Sequence, residues 1–76
     1  MNKEKSESCA KRIEQALMIR QMKQADLCKL AGIPKSSLSL YLKGAYDPKQ
    51  DKLYKMANAL NVNEMWLMGY DVPMEK

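Results

Sequence analysis

A chain of 76 residues with 46% hydrophobic and 29% charged residues makes one small globular domain, with a modest core and no deep cleft. Histidine is absent, which excludes imidazole catalysis and His-ligated metal, and the two cysteines, Cys9 and Cys28, are too few and too far apart to close a zinc site or staple a secreted scaffold. The net charge of +4 is uneven: residues 1–23 carry +3, residues 24–49 carry +2 and residues 50–76 carry −1, with no acid between Asp26 and Asp47, a pattern that suits a polyanion met by one face.

The predicted elements are all helical. Glycine and proline punctuate the chain at a few places, β-branched residues are sparse, and phenylalanine is absent, so strands are not expected. The first segment runs from Ser6 or Ser8, either of which is a capping residue, to Arg20. Ile13, Ala16 and Leu17 face inward at helical spacing, and Arg12, Glu14, Gln15 and Arg20 face out. The second segment, Gln24 to Ala31, turns Leu27, Cys28, Leu30 and Ala31 to the core. Gly32 ends it in a left-handed conformation, and Pro34 suits the start of the next helix. The third segment, Lys35 to Lys43, has Leu38, Tyr41 and Leu42 as its apolar side. Its three serines, Ser36, Ser37 and Ser39, are mediocre helix formers on the remaining faces. They make either a solvated face or a set of short hydroxyls placed against a ligand. After Gly44 and a loop to Pro48, a fourth segment of about 49–60 repeats Leu53, Met56, Ala57 and Leu60, and Asn61 closes it. A short fifth segment, Asn63 to Met68, has Asn63 as its cap and buries Met65, Leu67 or both. Gly69 ends it. Residues 1–69 therefore form the domain, and 70–76 read as the start of a linker that a longer protein would continue.

Two short helices joined by the glycine turn Gly32-Ile33-Pro34 are the sequence form of a helix-turn-helix. Small residues at the crossing, Cys28 and Ala31, let the second helix dock across the first, while Ile33 and Leu38 fill the angle. The second helix then stands as a ridge of a size to enter a DNA major groove.

The ordered set of Gln24, Gly32, Gly44 and the run Ala57-Asn58-Ala59-Leu60-Asn61-Val62, followed by Trp66-Leu67-Met68-Gly69, resembles the Cro and lambda-repressor type of helix-turn-helix domain, the Xre-like family, over about residues 10–69. The ending through Tyr70-Asp71-Val72-Pro73 is similar to repressors of temperate phages of Gram-positive bacteria. The resemblance implies a compact bundle of five short helices with the helix-turn-helix at its centre. It implies that Lys35, Ser36, Ser39 and Leu40 read bases, Leu40 by packing on a thymine methyl. It places Lys23, Gln24, Ser37, Lys43, Tyr46 and Lys49 at phosphates. Relatives often have glycine or asparagine where this chain has Gln21, so that turn is expected to be somewhat strained. Many carry a buried Arg–Glu pair where this chain has Leu17 and Leu42, so an apolar contact is expected there. Cys28 stands where alanine is usual.

The function expected is sequence-specific binding of double-stranded DNA as a transcriptional repressor of a phage or prophage switch. Its operator would be a pseudo-palindrome occupied by two copies, and an antirepressor is a further candidate partner. The alternative is a protein-interaction module, antitoxin-like or an adaptor, on the same fold. Met65, Trp66 and Met68 are candidates either for a dimer or partner surface or for plain core. Lys3 and Lys5 are candidates for a DNA-tracking arm, against which Glu4 and Glu7 favour a solvated terminus. Cys28 reads as a buried small hydrophobe rather than a redox sensor, and Cys9 as an incidental thiol near an exposed helix start. Met22 and Met56 read as core fillers. No enzyme, cofactor, metal or membrane association is expected: there is no paired-carboxylate site, no glycine-rich phosphate loop, no apolar run near the roughly 18 residues of a membrane span and no apolar signal core at the polar start. The location expected is the cytoplasm.

Overall fold

A computed structural model describes residues 5–76, which form α1 (Cys9–Ile19), α2 (Gln24–Ala31), α3 (Lys35–Lys43), α4 (Gln50–Leu60) and α5 (Glu64–Met68). Among the described residues the β-structure is one isolated antiparallel bridge, Lys5 with Tyr70. This is the all-α, five-helix architecture expected from the sequence.

Local chemistry sets the helix ends. Ser8 is extended, and its hydroxyl accepts from the Lys11 N–H at 3.2 Å, so α1 starts at Cys9. Asn63 does the same for α5, its Oδ1 accepting from the N–H groups of Met65 and Trp66 at 2.8 and 3.2 Å. Pro34 and Lys49 are extended residues just before α3 and α4. Pro34 thus stands at the start of α3, whose bounds are the expected Lys35–Lys43. Gly32 and Asn61 adopt left-handed conformations and stop α2 and α4. Gln21 also has positive φ, 54°, the strain expected of its turn.

The helices pack as α1 on α3 and α5, and α2 on α3 and α4, with α5 closing on α4. Each contributes one stripe to a single core. In α1 the stripe is Cys9, Arg12, Ile13, Ala16 and Leu17; in α4 it is Leu53, Met56, Ala57 and Leu60. Leu27, Cys28, Ala31, Ile33, Leu38, Tyr41, Val62, Trp66 and Leu67 complete it, and Met22 and Leu42 pack against it half-buried. Leu17 is buried in this core and Leu42 is one of the half-buried residues packed against it.

Three outward residues of the sequence reading are placed otherwise. Arg12 is buried, because its position in the α1 stripe leaves it no route to solvent. Its Nη1 donates to the Trp66 carbonyl at 2.8 Å, its Nη2 donates to Ser6 Oγ at 3.3 Å, and its guanidinium lies 4.6 Å from the centre of the Trp66 ring. Arg20 is half-buried and donates to the carbonyls of Leu60 and Asn61, both at 2.9 Å, tying the end of α1 to the end of α4. Cys9 is buried rather than exposed, and burial foremost, with the Asp47 carboxylate second, pushes its thiol up to about 11. Leu30, expected inside, is exposed, since the core side of this two-turn helix is filled by Leu27, Cys28 and Ala31.

Residues on either side of the helices also pack. The N–H groups of Ser6 and Glu7 donate to the Gly69 carbonyl at 2.8 and 3.0 Å. Residues 70–76 fold back: Val72 and Met74 pack half-buried against the core, and the Asn63 N–H donates to the Met74 carbonyl at 2.7 Å. Lys3, a candidate arm residue, lies outside the described residues.

Candidate nucleic-acid interface

The turn between α2 and α3 is built by backbone hydrogen bonds. The N–H groups of Gly32 and Ile33 both donate to the Cys28 carbonyl, at 2.9 and 3.1 Å, and Ile33 is buried in the angle between the helices. Leu38 and Tyr41 anchor α3 to the core. With 100° per residue, those anchors leave Ser36, Ser39, Leu40 and Lys43 along the opposite side, at the spacing i, i+3, i+4, i+7. Ser36, Leu40 and Lys43 are exposed and Ser39 half-buried. Leu40 stands out, 37% exposed, as an apolar group in a row of hydroxyls and an ammonium. Lys35 is exposed at the first turn, and Ser37 is half-buried on the flank. No carboxylate lies on α3.

The expected phosphate contacts surround this ridge. Lys23 and Gln24 are exposed at the start of α2, where the Asp26 carboxylate accepts from the Lys23 N–H at 3.0 Å. Asp26 thus places one negative charge in the first turn of α2, which offsets part of the positive end of that helix beside Gln24. Lys43 ends α3. Tyr46 follows in the loop, 51% exposed, with its ring edge-on to Tyr41 at 5.6 Å and 88°. That contact, with burial as the larger cause, holds the Tyr41 hydroxyl above its ordinary range. Lys49 is exposed just before α4. The base-reading and phosphate candidates therefore lie on α3 and the two segments flanking it, α2's first turn and the loop after Gly44.

The fifth helix divides its three candidates. Met65 is exposed, Met68 is half-buried, and Trp66 is buried with Arg12 against its ring. Trp66 is core, because the capped turn at Asn63 points it inward with Leu67. Tyr54, which the sequence reading passed over, is exposed and lines an open cleft with Met65. The ion pair between Lys5 and Asp47 and the edge contact of Tyr41 with Tyr46 were also missed. Neither has a signal in local spacing, since each depends on the path of a loop. No helix is long and apolar enough to cross a membrane among the described residues.

The model of the helix-turn-helix family matches residues 13–67. No curated protein matches the chain. Among solved structures, the DNA-binding domain of the P22 c2 repressor in solution covers 100% of the chain, with 96% of its own length covered, at TM-score 0.79 and 21% identity. The P22 c2 repressor protein in complex with a synthetic operator covers 83%, with 96% of that chain, at TM-score 0.75 and 21% identity. The restriction-modification controller protein C.AhdI from Aeromonas hydrophila covers 78%, with 89% of that chain, at TM-score 0.72 and 20% identity. These likenesses are of fold.

Proposed function

The chain belongs to the helix-turn-helix family, and from that premise we propose that it binds double-stranded DNA in a sequence-specific way and acts as a transcriptional repressor. The observation that carries this is α3: a ridge of Ser36, Ser39, Leu40 and Lys43, free of carboxylates, anchored to a rigid core by Leu38 and Tyr41 and flanked by exposed Lys23, Lys35 and Lys49. Short hydroxyls, an apolar methyl contact and lysines are the chemistry of base edges and phosphates. The P22 c2 repressor, similar in fold over most of the chain, is seen with operator DNA.

In this reading Lys35, Ser36, Ser39 and Leu40 face bases. Lys23, Gln24, Ser37, Lys43, Tyr46 and Lys49 hold the backbone. One domain of this size buries little DNA, so two copies on half-sites about 34 Å apart supply the affinity and make the operator a pseudo-palindrome. Bound there in the cytoplasm, the protein excludes transcription, the logic of a phage or prophage switch. The role is binding rather than catalysis. A protein partner, an antirepressor or a second copy, is favoured by exposed Tyr54 and Met65 on one cleft.

Selection from a random-sequence duplex pool tests the proposal. One pseudo-palindromic consensus is expected, with half-sites one helical turn apart. A pool that shows no enrichment after repeated rounds overturns DNA recognition and leaves the protein-interaction reading.

A further inference from the structure

The described residues hold one side-chain ion pair, Lys5 Nζ with Asp47 Oδ2 at 3.4 Å. Its place is informative. Asp47 is the only acid between Asp26 and Asp51, and it lies in the loop after α3, next to Tyr46 and two residues before Lys49. Both members are exposed, so the pair adds little to stability. Lys5 is not there by charge attraction alone. The backbone bonds of Ser6 and Glu7 to Gly69, and the bridge of Lys5 with Tyr70, fix the segment that carries it.

We propose that Lys5 is a charge-compensating residue of the DNA-binding face: its ammonium cancels the Asp47 carboxylate, so that the loop from Gly44 to Lys49 lies against a phosphate without repulsion. The inference rests on the DNA reading above. A bare carboxylate at this point would stand well within the Debye length of about 10 Å at 0.1 M salt from any phosphate that Tyr46 or Lys49 contacts. Lys5 removes that field without having to touch the phosphate itself.

The sign of two effects separates this role from a loop tether and from direct phosphate contact by Lys5. The full chain, Lys5→Ala, Asp47→Asn and the double variant are titrated against the duplex selected by the wild-type protein, at about 0.1 M salt. Lys5→Ala is expected to weaken binding by about three- to five-fold, and Asp47→Asn to tighten it by about two- to five-fold, the range of an exposed pair. In the Asp47→Asn background, Lys5→Ala should change affinity by less than about two-fold. Thermal melts of all four proteins should coincide, and Lys5→Gln, which removes the charge but keeps a polar chain only one atom shorter, should behave as Lys5→Ala does. Weaker binding by Asp47→Asn overturns the inference, because it would make the pair a tether for the loop. An undiminished loss from Lys5→Ala in the Asp47→Asn background overturns it too, because Lys5 would then contact phosphate directly. A wild-type chain that binds no duplex removes the DNA reading and this inference with it, whereas additive variants of a chain that does bind remove the inference alone.

Discussion

Truncating Arg12 should destabilise the domain more than any other single change at a charged residue. The guanidinium is buried, donates to the Trp66 carbonyl at 2.8 Å and to Ser6 Oγ at 3.3 Å, and covers the Trp66 ring at 4.6 Å. A hydrogen bond from a charged donor contributes about 1.5–3 kcal/mol, and a desolvated cation–π contact about 1–2 kcal/mol. Desolvation of the guanidinium offsets part of this, so Arg12→Ala should cost about 3–4 kcal/mol net. A domain of this length has about 4–11 kcal/mol in all, and the loss should lower Tm by about 12–30 °C. Arg12→Met should be milder, at about 1–2 kcal/mol. The Trp66 carbonyl still accepts from the Gly69 N–H at 2.9 Å, so it is not orphaned, and the thioether packs on the indole. Urea melts followed by circular dichroism and by the fluorescence of Trp66, the only tryptophan, check both values. Arg12→Ala within 1 kcal/mol of wild type, or Arg12→Met worse than Arg12→Ala, would refute the assigned role.

Lys35→Ala and Ser36→Ala should relax base preference by about 1–3 kcal/mol per lost contact, whereas Lys43→Ala should weaken all duplexes alike and flatten the salt dependence by about 0.9 in log–log slope; binding to a panel of operator variants at several salt concentrations separates the two behaviours. Replacing by uracil the thymine that Leu40 contacts should weaken binding measurably, and equal affinity would show that the exposed leucine points elsewhere. Leu17→Ala should cost about 2–4 kcal/mol and Leu42→Ala, half-buried, distinctly less, as thermal melts will report. The raised thiol of Cys9 makes the folded state hold a proton that the unfolded state releases above pH 9.0, so the part of the stability linked to this thiol should be constant below that pH and be lost as pH rises toward about 11; Cys9→Ala should remove that part of the alkaline loss in urea melts.

Most of the fold was legible because its signals are local. The 3-and-4 spacing of Leu53, Met56, Ala57 and Leu60, the hydroxyl of Ser8 and the amide of Asn63 each act within one turn of helix. Arg12 shows where that reading fails. Its charge argued for solvent, while its place between Cys9 and Ile13 argued for the core, and a carbonyl 54 residues away decided the matter. Trp66 was ambiguous for the same reason, since its partner is that arginine. Leu30 failed in the opposite direction: an apolar residue on a two-turn helix has nothing to bury it once Leu27, Cys28 and Ala31 fill the inner side. On the interface the ridge was legible and its surroundings were not. The spacing of Ser36, Ser39, Leu40 and Lys43 follows from helical pitch alone, but the pairing of Lys5 with Asp47 spans 42 residues and depends on how the segment before α1 lies across the fold.

That segment has a bearing on how the domain opens and closes. A side-chain carbon at Gly69 would collide with the backbone carbonyl of Glu7, and the glycine itself sits at φ 107°, so residues 5–7 can seat only on this one bare stretch of chain. The two backbone hydrogen bonds that seat them close a loop of more than 60 residues, and such a contact forms late in folding and releases early. Amide exchange at Ser6 and Glu7 should therefore proceed through a local opening far cheaper than global unfolding. In that opened form Arg12 loses Ser6 but keeps the Trp66 carbonyl, so the helices beneath remain folded.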